Sequence, residues 1–82
     1  MRIYMQHRGG DGNAPRFYQL ILQEDLLGGW SVVRQWGRMG SRGAFRKDHF
    51  DTLDSAQEAL VSFRDHQLKK GFSIMFIHGG QL

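Results

Sequence analysis

The side chains best suited to chemistry in this sequence fall in one eight-residue stretch, Trp36-Gly37-Arg38-Met39-Gly40-Ser41-Arg42-Gly43. An indole offers a flat face for a base or a sugar, and stacking on a base contributes about 1–3 kcal/mol regardless of which base it is. Arg38 and Arg42 add guanidinium forks that grip phosphate oxygens two at a time. Glycines at 37, 40 and 43 remove Cβ atoms, so that backbone N–H groups can approach an anion. Packing alone does not ask for this mixture: a core prefers Leu, Ile or Val, and a solvent turn seldom carries a tryptophan. The stretch reads as a surface for binding a polyanion.

Charge along the chain agrees. The formal net charge is only +3, but Arg34, Arg38, Arg42, Arg46 and Lys47 follow one another with no acid between them. Asp48, Asp51, Asp54, Glu58 and Asp65 come next, against Arg64 alone. Local field, more than overall charge, gathers phosphates. A basic run also suits a plain solvated hairpin. Arg46 and Lys47 point to opposite faces of a regular strand, so about four of the five cations can meet one phosphate backbone.

Other chemistries find little support. His7, His49, His66 and His78 never stand at a ligand spacing, so no metal or other cofactor is expected. Asp48 and His49 look like an acid–base pair, yet neighbours on a strand face opposite ways and no nucleophile accompanies them. The glycine spacing GxxGxxG is not the dinucleotide fingerprint GxGxxG. A non-enzyme is expected. The chain has 82 residues and no cysteine, which fits one small domain, residues 1–82, held by ordinary packing and not by disulfides. No apolar run approaches the length of a membrane span and the N-terminus lacks the apolar core of a signal peptide, so the expectation is a cytoplasmic protein without a membrane partner.

The elements that must position the stretch follow from periodicity. Residues 2–7 alternate Ile3 and Met5 against Arg2 and Gln6, a half-buried strand. The connection GGDGNAP follows, with no chemistry assigned to Asp11. In RFYQLILQED, Tyr18, Leu20 and Leu22 take one face and Phe17 and Ile21 the other, the mark of a central strand. Gly28-Gly29 supplies a hairpin turn and WSVVRQWGR returns antiparallel. That strand puts Trp30, Val32, Arg34, Trp36 and Arg38 on one face, the first two suited to a core and the last three not. Either it runs from the core out to the sheet rim, or a β-bulge re-aims Trp36. A further strand is expected near residues 44–50. The period then becomes 3.6: Leu53, Ala56, Ala59, Leu60 and Phe63 form an apolar stripe opposite Asp54, Glu58, Ser62, Asp65 and Lys69. Thr52 or Asp54 suits the N-cap and Gly71 the stop. FSIMFI reads as a last strand or as an apolar segment for the helix or another subunit, and HGGQL as frayed. The sum is an α+β fold: one antiparallel sheet of four to five strands with a single amphipathic helix on it.

The order RFYQL, hairpin, WSVVRQWGRMGSRG, FDTLDSAQEA and LKKGF resembles the WGR domain family, securely from Arg16 to Phe72. The Trp-Gly-Arg triplet that names the family is here Trp36, Gly37 and Arg38. The resemblance implies an antiparallel sheet with one helix, and nucleic-acid binding, DNA ahead of RNA. In the poly(ADP-ribose) polymerases that carry such a domain it contacts DNA near strand breaks and touches neighbouring domains. Carried over, Trp36 would lie on a sugar or terminal base, while Arg38 would serve nucleic acid or a protein partner. Arg34, Gly40, Arg42, Arg46 and Lys47 complete the expected binding set. The other reading is a protein-interaction module, docking through the same surface or through FSIMFI, with oligomeric state left open. The chain looks like a stand-alone bacterial member that lacks the polymerases' catalytic parts.

Overall fold

A computed structural model of the chain describes residues 1–10 and 12–79; Asp11 and the last three residues of HGGQL lie outside them. The chain runs β1 (Arg2–His7), β2 (Arg16–Glu24), β3 (Trp30–Arg38), β4 (Ala44–Phe50), α1 (Leu53–Lys69) and β5 (Ser73–His78). The strands form one antiparallel sheet in the order β4-β3-β2-β1-β5. Helix α1 lies on one face, giving the expected α+β architecture with β2 at its centre.

Alternation decides which face is covered. Ile3 and Met5 from β1, Tyr18, Leu20 and Leu22 from β2, and Val32 from β3 are buried together with Ala56 and Leu60 of α1. Directly paired residues share a face in an antiparallel ladder, so Ile3↔Leu20, Met5↔Tyr18 and Leu22↔Val32 bring this set into one layer. The ladder between β2 and β3 is unbroken from Arg16↔Arg38 to Glu24↔Trp30. No bulge re-aims Trp36; the strand leaves the core for the rim as a regular element.

Some positions differ from expectation, with plain causes. Trp30 is half-buried and packs beside the core instead of within it, because it pairs with Phe50 at the hairpin end of the sheet. Leu53, at the first turn of α1, is exposed. The buried stripe runs instead through Ala56, Leu60 and Gln67, shifted one turn towards the helix C-terminus. Thr52 is the N-cap, its hydroxyl accepting from the Ser55 N–H at 3.1 Å. Of segment 72–77, residues 73–77 lie in strand β5, paired with β1, while Phe72 lies just before it; His78 extends the strand, opposite Arg2, instead of fraying. No helix among the described residues is long and apolar enough to cross a membrane.

Candidate nucleic-acid interface

Two local devices build the site. The first is the turn after β3. The Ser41 N–H donates to the Arg38 carbonyl at 3.1 Å, with Gly40 between them at φ +85°, a left-handed value that glycine adopts without strain. Gly37 and Gly43 meet across the hairpin. A Cβ on Gly37 would sit 2.8 Å from the Gly43 Cα, and one on Gly43 would run into the Trp36 carbonyl. These two glycines are therefore required by the hairpin itself, whatever binds it.

The second device ends α1. The Gly71 N–H donates to the Leu68 carbonyl and the Phe72 N–H to the Gln67 carbonyl, at 3.1 and 3.0 Å, with Gly71 at φ +100°. This is a Schellman cap. It turns Phe72 back onto the Tyr18 ring, 6.1 Å between centroids and edge to face, and leaves Lys70 at the helix end.

Between the two lies a groove of about 510 Å³, floored by Tyr18, Trp36 and Phe72 and rimmed by Arg16, Arg38 and Lys70. The Trp36 ring stacks on Tyr18 at 6.2 Å and 25° and remains 37% exposed. Burial raises the Tyr18 phenol above its ordinary value, against a smaller opposing effect of Arg34 and Gln67; it stays neutral and supports the indole. Arg16 and Arg38 are direct partners across β2 and β3. Like charges so placed repel, and among the described residues neither has a carboxylate partner.

The helix C-terminus faces this groove and carries roughly half a negative charge. Arg16, Arg38 and Lys70, none with a carboxylate partner among the described residues, outweigh it, and the carbonyls of His66, Gln67 and Leu68 are already occupied by the cap. The local sign is positive.

The expected site residues divide. Trp36, Gly37, Arg38 and Arg34 line the groove together. Arg34 is held by the protein: its guanidinium lies 4.1 Å from the Phe63 ring centroid and 6.0 Å from that of Trp36, and pairs with Asp48 at 3.2 Å. Its Nε is buried without a hydrogen-bond partner. Arg46, opposite Arg34, shares the same Asp48 at 3.5 Å, so these two arginines and one carboxylate carry a single net charge. Gly40 and Arg42 sit in the exposed turn, where the Arg42 carbonyl accepts from Gln35 Nε2 at 2.9 Å. Lys47 lies on the other face, 4.0 Å from Asp25.

Sequence reasoning missed Arg16, Tyr18, Lys70 and Phe72. Arg16 was legible, since it begins the partner strand of the hairpin and must lie opposite its end. Lys70 and Phe72 were not, because their place depends on how α1 crosses the sheet.

Comparison with known proteins adds two findings. The WGR domain family matches residues 1–74. An uncharacterized protein, y4dW, of Sinorhizobium fredii (strain NBRC 101917 / NGR234) is 25% identical over 71 residues, which is 87% of this chain and 35% of that protein. The chain thus spans about a third of the length of that relative.

Proposed function

This chain belongs to the WGR domain family, and on that premise we propose that it is a non-catalytic module that binds nucleic acid, DNA in the first place, through the groove at Trp36. One observation carries the reading: an exposed indole backed by Tyr18, with Arg16 and Arg38 opposite each other and no acid among the described residues to pair them. A phosphate placed between the two guanidiniums relieves their repulsion, and an adjacent base or sugar covers the indole. Contacts of this kind position a backbone without reading sequence. Among the described residues no helix is free to enter a major groove, since α1 is packed on the sheet. Fluorescence anisotropy with two unrelated blunt duplexes tests the reading. Similar affinities for both, lost together in Trp36→Ala and Arg38→Ala, support it; affinities indifferent to both substitutions overturn it.

The protein-interaction reading has its own observation. Strand β5 is a sheet edge with Ile74, Met75, Phe76 and Ile77 each more than a third exposed, and such an edge is a template for pairing with another chain. Indifference to nucleic acid together with a concentration-dependent dimer would put this reading first.

A further inference from the structure

The sheet face that α1 leaves open has a composition of its own. Register places Phe45, Gln35, Gln19, Tyr4 and Phe76 in one row across all five strands. Four strand spacings make that row about 19 Å long. Tyr4 stacks on Phe76 at 5.2 Å and 17°, and on Phe17 at 6.4 Å and 13°. Phe45 and Phe76 are 72% and 43% exposed. Amides stand between and beside the rings: Gln19 donates weakly to Gln35 at 3.4 Å, and Gln6 to the Tyr4 hydroxyl at 3.3 Å.

Cations flank the row on one side. Arg2 lies 5.3 Å over the Phe76 ring, and Lys47 stands in the same neighbouring row through Ile21 and Val33. The strands contribute no Asp or Glu to this face. Among the described residues, carboxylates reach it only at one corner, where Asp25 meets Lys47 and His49 and Asp51 lies 3.4 Å from His49. A shallow depression of about 240 Å³ between Tyr4, Phe17 and Gln19 reaches Met39 and Gly40 of the turn after β3, so this face and the Trp36 groove meet at one rim.

We infer that the open face is a second nucleic-acid surface, one that takes unpaired bases. Rings standing on a sheet stack about two or three splayed bases, glutamine amides match base edges, and arginine and lysine hold the backbone. A second copy of this chain fits poorly, since it would bring Arg2, for which the strands of this face supply no carboxylate, to a face of the same sign, and would bury Gln19 and Gln6 with only long hydrogen bonds of 3.4 and 3.3 Å. Duplex in the groove and single strand on the open face would let one module hold a junction between them.

Labelled dT15 and a blunt 15-bp duplex, each titrated by anisotropy, separate this inference from the groove reading. Phe45→Ala/Phe76→Ala removes two exposed rings and is expected to weaken dT15 binding on the order of tenfold or more while changing duplex binding less than twofold. Arg2→Glu, which removes no packing ring, is expected to weaken dT15 binding in the same direction. Trp36→Ala is expected to do the reverse. Absence of dT15 binding by the unaltered protein, or dT15 affinity unmoved by both face variants, overturns the inference and leaves the groove reading standing. So does a dimer in sedimentation that the double substitution dissociates, which would make the face a protein contact. Loss of duplex binding in none of the groove variants, with dT15 still bound, overturns the groove reading alone.

Discussion

Salt dependence of duplex binding turns the charge geometry into a number. Five cations in one window promised about four phosphate contacts, a slope of log K against log salt of about −3.6. The structure alters the count. Arg34 and Arg46 are committed to Asp48, Lys47 lies on the other face beside Asp25, and Arg42 sits in the exposed turn outside the groove lining. What remains at the groove is Arg38, joined by Arg16 and Lys70. Three contacts give a slope of about −2.7, or roughly a 40-fold loss of affinity between 50 and 200 mM salt. Arg38→Ala is expected to reduce the slope to about −1.8 and the loss to about 12-fold, with Arg16→Ala matching it. Arg46→Ala and Lys47→Ala are expected to leave the slope within error. Anisotropy titrations at four salt concentrations measure each value. If Lys47→Ala lowered the slope as much as Arg38→Ala does, or if the unaltered protein gave a slope near zero, the assignment of phosphate contacts to the groove would be refuted.

Stability separates the roles of individual residues. Leu20→Ala, at a fully buried site, is expected to cost about 2–5 kcal/mol in urea denaturation, whereas Trp36→Ala, partly exposed at the rim, should shift the midpoint far less while weakening duplex binding. Gly43→Ala places a Cβ against the Trp36 carbonyl at φ +73°; a loss of at least about 1–3 kcal/mol is expected, and a neutral result would show that the hairpin can relax. Asp25 is held down to about 2 by the Ser31 hydroxyl first, then the Leu27 N–H and His49. Its folded-state value lies below its unfolded one, so its stabilisation is present above about pH 4 and is lost as pH falls through about 2. Asp25→Asn should flatten the stability profile across that window in acid titration of the fold; an unchanged profile would mean the hydrogen bonds do not persist.

Most of the fold was legible because alternation and period survive in short elements. Ile3 and Met5, the Gly28-Gly29 hairpin, Thr52 and Gly71 each announce their role by type and spacing. Less of the site could be read. A sequence window counts charges along a line, whereas the sheet folds that line so that Asp48, just past the basic run, reaches back to Arg34 and Arg46. The glycines near Trp36 resembled anion-binding backbone, yet two of them are required by the contact of the hairpin with itself. Groove residues from distant segments, Lys70 and Phe72, depend on the crossing of α1, which no local pattern encodes. Arg34 shows the mixture most clearly: strand parity put it beside Trp36, but only the packing of α1 reveals Phe63 beneath its guanidinium.

The central claim is that nucleic acid occupies the groove at Trp36, and the two tryptophans provide a direct test. Trp36 lies at the groove and Trp30 at the far end of the same strand, paired with Phe50, so their indole N–H resonances report on two separate places in one spectrum. During titration with a blunt duplex, the Trp36 indole signal and the amides of Arg16, Arg38 and Lys70 are expected to move together and saturate, while the Trp30 indole and the amides of Asp54 and Glu58 stay in place. Saturable shifts at Trp30 or along the acidic side of α1, with Trp36 unmoved, would contradict the account.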